Sequence, residues 1–132
     1  GANLDRIQII KGWLNADGTS SEKVFNVAVS DNRKIKGNRV KALQSTVNVE
    51  SASYTNSVGA GQLSAVWTDP DFDASQRAFY YVRVLEIPTP RWTAYDAAYF
   101  GTELPTDIPT EHQERAYTSP IWYTPNDVAS QE

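Results

Sequence analysis

The run Asp69-Pro70-Asp71-Phe72-Asp73 sets three carboxylates at alternate positions. Alternate oxygen ligands suit a hard cation, and calcium is the ion such a loop would take. An EF-hand loop also requires glycine at its sixth position and glutamate at its twelfth, where this chain has Ala74 and Tyr80. The pattern fails where it is most diagnostic. Asp69, Asp71 and Asp73 are therefore a weak candidate cation site. The stronger reading is a turn in which Asp side chains accept bonds from nearby backbone N–H groups.

Three other groups carry chemistry. Glu111, His112 and Glu114 offer possible metal ligands, but His112 is the chain's single histidine and there is no cysteine. Transition-metal sites pool several such donors, so a solvated histidine is the favoured reading. Serine-histidine-aspartate chemistry would depend on His112 alone, and no nucleophile-elbow motif is present. Nothing in the spacing of the 16 acids singles out a catalytic pair. Arg33, Lys34, Lys36, Arg39 and Lys41 put five of the 12 cations into nine residues. They read as an anion patch or, more simply, as a solvated loop, because a charge run alone has no fixed geometry. Four tryptophans (Trp13, Trp67, Trp92, Trp122) and seven tyrosines are many for this length. They can fill a core, contact a partner, or stack sugars.

The elements that must position these groups read mostly in period two. Arg6 to Trp13 (RIQIIKGW) runs into the turn signal NADG, and KVFNVAVS follows with Phe25, Val27 and Val29 on alternate positions. This predicts a hairpin with a loop longer than two residues. Residues 31 to 45 read as a polar loop, and Val47 and Val49 alternate as in a strand. Arg77 to Ile87 (RAFYYVRVLEI) is apolar on both faces, which predicts a central strand covered on both sides. Pro-Thr-Pro should end it. A short helix is expected near residues 93 to 100, with Thr93 as N-cap, Gly101 as C-cap, and Tyr95 and Tyr99 packed on the body. Tyr117 to Tyr123 is expected to be a final strand, with Trp122 at least partly buried against FYYVRV. The sum is an all-β fold: a small antiparallel β-sandwich with one or two short helices.

The length of 132 residues suits one domain. A net charge of −4 argues against nucleic acid as a general partner, and no apolar run reaches the roughly 20 residues of a membrane span. With no methionine, even at position 1, the chain reads as a processed or excised piece. Gly1-Ala2-Asn3 is set aside as a candidate processing scar.

Two long segments carry a resemblance: SAVWTDPDFDASQRAFYYVRVLEIPTPRW (Ser64 to Trp92) and ERAYTSPIWYTP (Glu114 to Pro125). With DRIQIIKGW and the NADG turn, they resemble the C-terminal part of the domain of unknown function 3604 family. Only the basic loop falls outside the likeness. Members are large, often exported bacterial proteins whose N-terminal part resembles the polymerase-and-histidinol-phosphatase (PHP) type of metal-dependent hydrolase. None of that part's histidine motifs occurs here, so no catalytic, metal or cofactor residue is carried over. The resemblance implies a non-catalytic C-terminal accessory module, residues 1–132, packing against that catalytic domain in the same polypeptide, in a periplasmic or secreted setting. Trp92, Tyr117, Trp122 and Tyr123 are the candidate interface residues. The alternative is an autonomous β-sandwich module that binds a ligand such as carbohydrate through exposed aromatics.

Overall fold

A computed structural model describes residues 1–126. Its elements are β1 (Leu4–Leu14), β2 (Ser20–Val29), β3 (Ala78–Pro90), α1 (Trp92–Phe100), β4 (Glu111–Tyr117) and β5 (Ile121–Tyr123). All five strands are antiparallel and form one sheet in the order β2-β1-β3-β4, with β5 also on β3. The fold is thus all-β with one short helix.

The β1–β2 hairpin turns where Asp17-Gly18 signals it. Asn15 N–H donates to Thr19 O at 2.8 Å, and Gly18 takes φ 82°, a value glycine adopts without steric cost. β3 is the central strand. Its long edge facing away from β1 is shared by two partners, β5 along Ala78–Tyr80 and β4 along Arg83–Pro90. The Pro-Thr-Pro run does not end β3. After a bulge between Leu85 and Pro88 the ladder with β4 resumes, pairing Pro88 with Gln113 and Pro90 with Glu111. β1 has ended by this point, its last pair being Leu4 with Glu86, so the prolines disturb a ladder that is paired to a strand on one side only.

Residues 31–77 contain no named strand, although Val47 and Val49 alternate. There the chain folds back on itself, with an isolated bridge between Asn48 and Ser53. This long connection forms the layer over the sheet. Leu4 and Ala60 exchange backbone bonds of 2.8 and 2.9 Å. Gly59 passes so close to fully buried Ile87 that a Cβ would lie 2.5 Å from its Cγ2. Asn3 is tied into the fold. Its side chain donates to Val58 O at 2.9 Å, and its carbonyl accepts from Ile87 N–H at 2.8 Å.

The helix begins one residue before the expected span. Arg91, not Thr93, occupies the N-cap position, and Thr93 is buried with its hydroxyl unbonded. Gly101 closes the helix in the left-handed conformation as expected. Packing uses the small residues Thr93, Ala94 and Ala97. They let the helix backbone approach the body and turn Tyr95 and Tyr99 outward to solvent.

Candidate functional site

Partners in an antiparallel ladder point to the same side of the sheet. The register therefore sorts the candidate residues onto two faces. One carries Ile9, Lys11, Phe25, Tyr80, Val82, Ile121 and Tyr123; the other carries Ile10, Gly12, Phe79, Tyr81, Tyr117 and Trp122.

The first face is closed by the aspartate loop. Lys11 sits mid-strand with only 3% of its side chain exposed, and it donates to Asp69 Oδ2 and to Asp71 O, each at 2.6 Å. Tyr80 Oη donates to the same Asp69 oxygen at 2.8 Å, and Asp71 N–H donates to Asp69 Oδ1 at 2.9 Å. Burial pushes the Asp69 carboxyl up. The bonds from Lys11, Tyr80 and Asp71 outweigh burial, and the net position lies below the ordinary range. The Tyr80 phenol is raised far above its usual value by burial, by its bond to Asp69 and by that carboxylate's charge. Asp71 forms an ion pair with Lys23, and Asp73 accepts from Ser75 N–H and Oγ at 2.8 and 2.6 Å.

The three predicted carboxylates thus lie together but point to different donors, two of them lysine ammonium groups from β1 and β2. Lys11 was missed as a site residue. Its signal was an ammonium in the apolar run IQIIKGW, which requires a buried partner. Trp67 packs on Phe25, with centroids 4.9 Å apart, and Phe72 packs on Tyr123 at 5.0 Å. Tyr123 also donates to Ala74 O at 2.9 Å. It fastens the loop to β5. A cleft of about 540 Å³ remains between this loop and β5, lined by Ile9, Trp67, Tyr80, Val82 and Ile121 among others.

The second face has no such cover along Ala78–Tyr81. Four rings form a row across three strands: Trp122, Phe79, Tyr81 and Tyr117. Successive centroids are 5.2, 6.4 and 6.2 Å apart. Phe79 and Tyr81 are nearly parallel at 9°, while the outer contacts tilt at 48° and 44°. Beside the row a polar rung crosses the sheet: Arg83 Nε donates to Gln8 Oε1, and Gln8 Nε2 donates to Asn26 Oδ1.

Trp122 is 72% exposed and Tyr117 56%. Trp122 touches Phe79 but is not buried against β3. Residues 117 to 123 are not one strand either, because the chain breaks at Thr118–Pro120 between β4 and β5, as a residue without N–H favours. β3 is central, as expected, yet its Phe79–Tyr81 face is only half buried. Cover on both sides of β3 does not follow from its apolar residues, since apolar alternation cannot say which face a neighbouring layer covers.

Trp92, at the start of α1, is 61% exposed. It shares a shallow depression with Tyr117, Arg91 and Arg115. His112 lies in the same depression, with its Nε2 2.8 Å from Glu114 Oε1. Glu111 is directed elsewhere and accepts from Ser45 Oγ at 2.6 Å. Among the described residues no three or more histidine, cysteine, aspartate or glutamate side chains converge as a metal site. No helix among the described residues is long and apolar enough to cross a membrane.

Fold and surface together define a small β-sheet module with one face closed by its own loop and an aromatic row open on the other. The chain belongs to the family described as Protein of unknown function (DUF3604), whose model matches residues 1–125. No curated protein and no solved structure matches it.

Proposed function

We propose that the chain is a non-catalytic accessory module that packs, through the row Trp122, Phe79, Tyr81 and Tyr117, against a metal-dependent hydrolase domain of the PHP type in the same bacterial polypeptide. The observation carrying this reading is the row itself. It is an apolar strip on a sheet face where the module's own chain leaves it half open, extended toward exposed Trp92. Contiguous exposed apolar surface of this kind marks contact sites, and large aromatics dominate their energetics. The tilts of 48° and 44° at the outer contacts favour an irregular partner surface over a flat ligand. The test is mixing, on gel filtration, with the separately produced hydrolase-like part of the same polypeptide. Co-elution that Trp122→Ala with Tyr117→Ala abolishes is the expected result. Separate elution at high micromolar concentration rejects the reading.

One observation favours a second reading, an autonomous carbohydrate-binding module. The Phe79 and Tyr81 rings are parallel within 9° and could stack a sugar ring. Retardation in gels containing soluble polysaccharide, lost in Tyr81→Ala, would support it.

A further inference from the structure

We propose that the hairpin spanning Arg33 to Lys41 is a binding site for a short multivalent oxyanion of the di- or triphosphate class, held by Lys34, Lys36, Arg39 and Lys41. The segment has the fixed geometry that a bare charge run lacks. Lys36 and Arg39 exchange backbone bonds of 2.9 and 3.0 Å around Gly37 and Asn38, at φ 51° and 66°. These are the positive values of a type I′ turn, which closes a tight hairpin. Asn38 clamps that turn to β2: it donates to Val24 O at 2.6 Å and accepts from Asn26 N–H at 2.8 Å. At the base of the hairpin, Arg33 donates to Asp5 O at 2.8 Å, Ser30 O at 3.1 Å and Lys41 O at 3.0 Å, and pairs with the buried Asp5 carboxylate.

Arg33 is therefore neutralised and structural, while the other four cations are not. Among the described residues Lys34, Lys36, Arg39 and Lys41 have no ion-pair partner. They line, with Arg33 and Val40, one open depression of about 460 Å³. Four unpaired like charges there repel one another, and an anion reaching several at once relieves that repulsion. Arg39 can fork two donors onto one phosphate, and the lysines act as point charges on the others.

The rest of the molecule selects for a short ligand. Outside residues 33–41 seven cations face 16 acids, so an extended polyanion or a flat anionic membrane would meet repulsion beyond the hairpin.

The test is calorimetric titration of the whole chain with sodium tripolyphosphate at low salt, against sodium chloride of equal ionic strength. Saturable one-to-one binding is expected, with backbone amide shifts confined to the hairpin. Lys36→Gln with Arg39→Gln should weaken it at least tenfold, as should Lys34→Gln with Lys41→Gln, while Arg77→Gln leaves it unchanged. No saturable binding, or equal binding by the double variants, overturns the proposal. Binding to phosphatidylserine vesicles without binding to tripolyphosphate also overturns it, in favour of a membrane surface.

Discussion

The Lys11 ammonium lies 2.6 Å from the Asp69 carboxylate although the two residues are 58 positions apart. The pair joins the middle of the sheet to the loop that covers it, and both side chains are more than 90% buried. Asp69→Ala would leave Lys11 charged and buried without its counter-charge, bonded only to the Asp71 carbonyl. A loss of about 3–5 kcal/mol is expected, the usual cost of breaking one half of a buried pair. Urea denaturation measures it. Lys11→Met combined with Asp69→Leu should recover much of the loss, because no uncompensated charge remains.

The same cluster sets the pH range of stability. Asp69 is held below its ordinary pKa, so its stabilisation is present above the unfolded carboxyl value and is lost as pH falls through the lower folded value. Tyr80 is raised. Its contribution is full below the unfolded phenol value, about pH 10, and is lost as pH climbs toward the folded value. Melting temperature against pH should therefore show a plateau with an acid limb below about pH 4 and an alkaline limb above about pH 10. Tyr80→Phe should flatten the alkaline limb and, by removing one of the bonds that lower Asp69, make the acid limb shallower without abolishing it. A variant with both limbs unchanged contradicts the assignment.

Trp122→Ala should cost little stability, about 1 kcal/mol or less, because most of the side chain is already in water. Ile87→Ala, at a fully buried position, should cost about 2–5 kcal/mol. Thermal denaturation of the two variants side by side checks the contrast. A large loss for Trp122→Ala would mean that the tryptophan closes the core after all.

Gly12 lies under the Phe79 ring, and a Cβ there would come within 2.3 Å of Phe79 Cζ. Gly12→Val should push the ring off the strand and disturb its contacts with Tyr81 and Trp122. A cost of about 1–3 kcal/mol is expected, as for overpacking elsewhere. Near-ultraviolet circular dichroism should report the changed aromatic packing. An unchanged spectrum contradicts the contact.

The β1–β2 hairpin was legible because its signals are local, with alternation on both arms and Asp17-Gly18 between them. The central place of β3 was legible from the run of apolar residues. The exposure of Trp122 was not, since alternation assigns a residue to a face without saying what covers that face. The Lys11–Asp69 pair was hidden for a related reason: no local pattern links residues that far apart. The helix was placed almost correctly and its packing misread, because Tyr95 and Tyr99 look like anchors until Ala94 and Ala97 are seen against the sheet. The hairpin in the basic segment had a signal that was passed over. Gly37-Asn38 is a dipeptide suited to a tight turn with positive φ.

β3 pairs with β1 along most of its length, and residues 15–77 lie between them. The central ladder is thus a contact between distant parts of the chain, and a large closure entropy precedes the contacts that reward it. The β1–β2 hairpin can assemble early, but it has no sheet to join until β3 arrives. β4 and β5 both lie on β3 and must follow. Refolding is therefore expected in the millisecond-to-second range of β-rich topologies. In that interval the β1 edge that β3 will cover stands open to pairing with another chain, so the yield of refolding should fall as protein concentration rises.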